Sequence, residues 1–146
     1  MNDDVARGDT NNLGFLLAKA LQRWNELLAE RFAAHGFAEV RPAYGSLLLP
    51  LFEQDGLRMG QIASRARLSK QTLTTLVRLG ERDGLVVRER DLADARAYRV
   101  RLTKRARELE PVAAEVLREL DKKVLAVLGQ RRRDALVRAL RGVMDL

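Results

Sequence analysis

Gln71, Thr75 and Arg78 place hydrogen-bonding side chains on one side of a helical wheel, with Arg82 beside them and Thr72 and Thr74 on the flanks. The opposite side carries Leu73, Leu76, Val77 and Gly80, within about 60° of one another at 100° per residue. No carboxylate interrupts this stretch until Glu81. A cationic and neutral donor face of that kind suits a polyanion. The major groove of B-DNA, about 12 Å wide, admits one α-helix, and phosphates line both rims. Gln addresses adenine, Arg addresses guanine, and Thr meets a thymine methyl or a phosphate. Further on, Arg90, Arg96 and Arg99 lie in a segment of period two. An arginine at the tip of such a hairpin can enter the adjacent minor groove, where the negative potential is strongest.

The elements that position these side chains are legible in the apolar spacing. Leu13, Leu17, Ala20, Leu21, Trp24, Leu27, Leu28 and Phe32 predict an amphipathic helix over 12–34, ended by Gly36. The first eleven residues are polar and expected to fray. Pro42 suits the first turn of a second helix running to Glu53, with Pro50 kinking or shortening it. A short helix over 59–66 follows, with Ile62, Ala63 and Ala66 inward. Ser69 then caps a reader helix, 69–83, in which Ser69, Lys70, Gln71, Thr72, Thr74, Thr75 and Arg78 are candidate contacts. Strands are expected over 85–91 and 97–103, with Tyr98, Val100 and Leu102 on one face and Arg99 and Arg101 on the other. Thr103 caps a long helix, 104–128, with Leu109, Val112, Val116, Leu120, Val124 and Val127 inward. Gly129 breaks it before a last helix over 131–144.

Charge follows the same partition. Thirteen Lys/Arg and five Asp/Glu lie between Arg58 and Arg105, a net of +8; the remaining fourteen basic and fifteen acidic residues net −1. The formal +7 is therefore one basic block between two nearly neutral, apolar arms, the footprint of a polyanion-binding module. With no Cys and one His, thiol chemistry and disulfides are excluded and the usual metal-ligand clusters are missing, so neither a cofactor nor a metal is expected. No carboxylate pair on an apolar loop and no glycine cradle suggests an enzyme. No run approaches the ~18–20 apolar residues of a membrane span, and the start lacks a signal pattern, so a cytoplasmic protein is expected.

A helix pair joined by Arg67-Leu68 and followed by a basic hairpin makes a winged helix-turn-helix. Over residues 12–145 the sequence resembles a MarR-type (multiple antibiotic resistance regulator) winged-helix transcription factor. The resemblance rests on Ile62-Ala63, Leu68-Ser69-Lys70-Gln71-Thr72, Gly84-Leu85-Val86 and above all Asp94-x-Arg96-Ala97 followed by Val100-x-Leu102-Thr103. It implies a mainly α fold with a small β-wing: a DNA-binding domain over 37–105, with residues 1–36 and 106–146 forming the dimerisation region. It also implies a homodimer on a pseudo-palindromic double-stranded operator, the wing (85–103) at the minor groove, and release by a small aromatic or phenolic effector. In the family pattern the wing arginine enters the groove and an aspartate holds it; carried over, these are Arg96 and Asp94. An effector site is implied near Trp24, His35, Arg41 and Tyr44. Three positions depart from the pattern: Gly80 stands where a large apolar residue is usual, Arg67 where Gly is common, and Ala106 where Gly is usual. Gly80 either leaves a gap or admits a close approach of backbone.

The expected protein is a DNA-binding regulator, a repressor by resemblance. Plainer readings stand beside this one. Arg96 and Asp94 also fit an ordinary surface pair. Arg88 and Arg101 fit mere decoration of the hairpin. Trp24 fits a core position and His35 a helix end. Arg131-Arg132-Arg133 fits a solvated helix start as well as a phosphate contact. An architectural DNA protein without sequence preference and a winged-helix protein–protein module are the alternative functions.

Overall fold

A computed structural model of the chain describes residues 9–146. The fraying expected over the first eleven residues lies mostly outside that range. Asp9–Asn11 form a turn in which the Asp9 carboxylate accepts the Asn11 amide at 2.9 Å. Helix α1 (Leu13–Ala34) starts at Asn12, whose side chain accepts the Phe15 amide. Its apolar stripe is buried only toward its C-terminal end, at Leu28 and Phe32; Leu13, Phe15, Leu16 and Leu21 are exposed.

The second predicted helix is split. Pro42 opens a 3₁₀ turn (Pro42–Tyr44), and α2 (Gly45–Glu53) follows directly. Pro50 leaves α2 short, at nine residues. A two-residue strand, β1 (Leu57–Arg58), comes next and was not anticipated. It is too short for a period-two signal, and its pairing partners, Val100 and Arg99, lie far along the chain. Helices α3 (Met59–Ala66) and α4 (Lys70–Arg82) form the helix pair. Ser69 caps α4 by accepting the Thr72 amide at 3.1 Å. Arg67 makes the turn in the left-handed region (φ 53°) where glycine costs least.

The wing consists of β2 (Val86–Arg90) and β3 (Tyr98–Leu102), each a residue shorter at both ends than expected. The antiparallel sheet has the order β1-β3-β2. Val100 and Leu102 are buried, but Tyr98, on the same side of β3, lies past the edge of the core, exposed, with Arg88 over its ring. Thr103 secures the wing base. Its hydroxyl donates to Gly84 O at 2.7 Å and accepts the Ala106 amide, capping α5 (Lys104–Met144). Gly129, at φ 78° and ψ 164°, bends α5 into two arms, as its position in the sequence suggested. Leu109, Val116 and Leu120 are buried, whereas Val127, expected inward, is 80% exposed.

One core joins these parts: Tyr44, Leu47 and Leu51 meet Ile62, Leu73 and Leu85. Gly80 belongs to it. A Cβ there would lie 3.1 Å from Val86 Cγ2 and 3.2 Å from Leu47 Cδ2. Close approach, not a gap, is what the missing side chain provides, and it brings α4 tightly against both α2 and β2. Among the described residues no helix is long and apolar enough to cross a membrane, and no group of acidic or imidazole side chains could hold a metal ion.

Candidate nucleic-acid interface

Helix α4 buries Leu73, Leu76, Val77 and Gly80 and turns the other side outward. Ser69, Lys70, Gln71, Thr72, Thr75 and Arg78 are exposed and Thr74 half-buried. Lys70, Gln71, Thr74, Thr75 and Arg78 border one shallow depression. The threonine hydroxyls bond back along the helix, Thr74 to Lys70 O at 2.8 Å and Thr75 to Gln71 O at 3.2 Å. Ser69 donates to the Thr72 hydroxyl at 2.8 Å. With the Thr74 and Thr75 protons used locally, these two side chains offer a methyl group and an oxygen lone pair outward. The side chains of Gln71, Lys70 and Arg78 have no partner among the described residues.

The basic block is not uniformly available, and this the sequence did not show. Arg88 is held by Glu81 at 2.7 Å, Arg101 by Glu89 at 2.5 Å, and Arg82 by Asp83 at 3.2 Å. Arg67 donates to Met144 O and the Asp145 carboxylate, both at 2.9 Å. Arg99, grouped in the sequence with Arg90 and Arg96 as a candidate DNA contact of the hairpin, folds inward instead. It donates to Gly56 O at 2.8 Å, and its Nε lies 3.1 Å from Asp91. Antiparallel pairing with β1 places Arg99 beside the Gly56 carbonyl, so it braces the sheet. Lys70, Arg78, Arg90 and Arg96 remain free or nearly so, together with Lys104 at the start of α5. Four of these five lie on the outward face of α4 or toward the wing tip.

Arg96 is 96% exposed. Asp94 accepts its backbone amide at 3.0 Å, while the side-chain contact between the two is a loose 3.9 Å. Asp94 thus orders the turn that carries Arg96 and leaves the guanidinium free. The tighter anchor is Asp91, which sequence reasoning missed. It is 5% exposed, and it accepts the Ala93 amide at 2.8 Å and Arg58 Nε at 2.7 Å, besides its contact with Arg99. The Ala93 amide, Arg58 and Arg99 hold its carboxyl below the usual carboxylate range. The available signal was an acid, one of three with Glu89 and Asp94, within a basic hairpin. Its burial depends on Arg58, brought in from β1. A groove of about 660 Å³ runs between the wing and the helix pair, lined by Lys70 and Thr74 on one side and Arg88, Arg96 and Tyr98 on the other. The reader helix and wing therefore face a common space.

The four residues implied as an effector site divide. Trp24 and Arg41 line a cavity of about 300 Å³ between α1, α2 and α5, with Leu28, Phe32, Leu48 and Phe52 among its walls. His35 does not line it; it caps the end of α1 and points Nε2 toward Glu119 at 3.7 Å. Tyr44 does not line it either. It is fully buried, and its hydroxyl donates a short hydrogen bond to Asp83. Burial, then the bond to Asp83 and the nearby negative charge, pushes its hydroxyl up to about 12. Asp83 is held low, chiefly by Tyr44 and Arg82.

The MarR family sequence pattern matches residues 31–97, from the end of α1 to the wing. The repressor CouR, solved on a 23-mer DNA duplex, is 25% identical over 95% of this chain and 99% of its own, with a TM-score of 0.77. The matched stretch, from the end of α1 through the helix pair to the wing, is thus similar to the MarR family. Two more solved structures share the fold: the PcaV transcriptional regulator from Streptomyces coelicolor with its natural ligand (22% identity, 96% and 97% of the two chains, TM-score 0.80) and the S. aureus MepR–DNA complex (19%, 91% and 96%, TM-score 0.77). No curated protein matches the sequence. The mainly helical fold with a small three-stranded sheet matches the fold of these solved regulators.

Proposed function

We propose that this protein is a MarR-type, ligand-responsive repressor that binds a pseudo-palindromic operator as a homodimer in the cytoplasm. The observation that carries the reading is the sorting of cations. Most arginines of the basic block are tied internally, while Lys70, Arg78, Arg90 and Arg96 are left for a polyanion on the α4 face and the wing. Gln71 and Arg78 read bases in the major groove, Thr74 and Thr75 offer methyl groups, and Ser69, Lys70 and Thr72 meet phosphate at the helix start. Arg96 enters the minor groove from a wing ordered by Asp94 and Asp91, with Arg90 beside it.

Residues 37–105 act as the reading head, with 1–36 and 106–146 as the dimerisation region. Exposed Leu13, Leu16 and Leu21 on α1 and Val127, Leu136 and Leu140 on α5 support this, since few monomers expose an apolar patch beyond ~300–600 Å². Two-fold symmetry then sets half-sites one turn apart, about 34 Å. The cavity beside Trp24 and Arg41 suits a small aromatic or phenolic effector, being apolar with few polar groups. The CouR and PcaV likenesses support repression and ligand response in turn.

Selection of bound duplexes from a random pool tests the reading. A palindromic consensus is expected, with release by small aromatic compounds. Enrichment of no sequence would favour an architectural protein, and absence of salt-dependent duplex binding would favour a protein–protein module.

A further inference from the structure

Leu92 is the one large apolar side chain between Arg90 and Tyr98, in the loop that joins the two wing strands. It is fully exposed and lies outside the core, so packing within the chain does not account for a leucine there. A single exposed leucine is ordinary on a protein surface. The frame around this one is not. The Asp91 amide donates to Ala97 O at 3.0 Å and closes the loop across its neck. On the other side of Leu92, the Ala93 amide donates to the buried Asp91 carboxylate at 2.8 Å. Leu92 thus stands between two pinned amides, on a backbone set by the acid that Arg58 and Arg99 hold. The rest of the loop is slim. Ala93, Ala95 and Ala97 add one methyl group each, and Asp94 turns back onto the Arg96 amide. The tip therefore presents a free guanidinium and an isobutyl group on a narrow scaffold.

We propose that Leu92 is an apolar wedge that opens a pyrimidine–purine step from the minor groove beside Arg96, so that the wing selects a deformable step by shape. The proposal rests on the DNA-reading function above. A minor groove about 6 Å wide admits an alanine-lined tip. Its base edges offer acceptors to Arg96 but no hydrogen-bonding partner to an isobutyl group. Burial of that group requires the sugar faces or the base stack itself. Leucine belongs to the side chains that partly unstack a step from this groove. TA and CA/TG steps unstack at the least cost. The wedge therefore turns deformability into sequence preference at a step where no hydrogen bond is read. Arg96 and Leu92 divide the work: the guanidinium carries salt dependence, and the leucine carries none.

On the selected operator, hydroxyl-radical protection of the sugars locates the wing. 2-Aminopurine is then placed at the purine of the pyrimidine–purine step under it, where unstacking relieves its quenching. Wild type should raise the fluorescence and Leu92→Ala should not. Leu92→Ala should also bind roughly 5-fold or more weakly, from the lost apolar burial. Its salt slope should match wild type, unlike that of Arg96→Ala. Leu92→Met, another wedge-forming side chain, should keep the rise. Replacing the step by AA should weaken wild type and leave Leu92→Ala unaffected. Full exposure of Leu92 makes equal Tm values expected for all these proteins. A wing footprint with no pyrimidine–purine step, an unchanged fluorescence with wild type, or equal losses for both proteins on the AA operator would each overturn the proposal. A wild type that selects no operator sinks the functional reading and this inference with it; a selected operator on which Leu92→Ala equals wild type sinks this inference alone.

Discussion

Arg96 and Arg78 are both free arginines, yet they should fail differently when removed. Arg96→Ala deletes a charge from the wing tip, so binding should weaken on all duplexes and the salt slope should flatten by about one. Gel-shift titration at two salt concentrations reads this, and an unchanged slope counts against a wing contact. Arg78→Ala should instead relax preference at one base position, by ~1–3 kcal/mol; equal weakening across operator variants would rule out base reading. Asp91 works indirectly, by holding Arg58, Arg99 and the Ala93 amide together at the root of the wing. Its carboxyl is held low in the folded protein, so the stability it contributes is full above the ordinary carboxylate pKa and is lost as pH falls through its lowered value. Asp91→Asn should therefore lower Tm at neutral pH, and the gap from wild type should close in acid. A gap that stays constant down the pH scale would show that the charge of Asp91 is not what matters. Asp91 was hidden in the sequence because a buried acid is recognised by its partners, and Arg58 arrives through pairing of β1 with β3.

At the scale of elements, α4 depends on close approach at Gly80. Gly80→Leu must displace Val86 and Leu47, and overpacking of this kind costs typically ~1–3 kcal/mol. Chemical denaturation measures it; a neutral result would mean that α4 can lift off without loss. The wing depends in turn on Thr103, which holds the Gly84 carbonyl and caps α5. Thr103→Ala should cost ~0.5–2 kcal/mol by the same measurement. Periodicity revealed both elements because a helix and a strand repeat their burial along the chain. It missed β1, which at two residues has no period, and it ran the 3₁₀ turn into α2 because Pro42 suits the start of either.

For the molecule as a whole, the exposed apolar arms are the surface that a second subunit would cover. Leu136→Asp with Leu140→Asp should shift sedimentation toward monomer and weaken operator binding together, since one reading head alone engages half a site. A wild type that sediments as a stable monomer at low concentration would refute the dimer. The apolar stripe of α1 was plain in the sequence, but spacing does not say which body covers it. Its C-terminal end packs on α5 within the chain, and its N-terminal half does not.

The local signals set the order of helices and wing, the outward face of α4 and the break at Gly129, because each depends on nearest neighbours along the chain. Tertiary structure alone decided which arginines stay free. Ion pairs form between segments distant in sequence, and those contacts turned Arg99 inward, buried Asp91 and left Arg96 exposed at the tip. They also moved Tyr44 out of the cavity wall and into contact with the end of the reader helix.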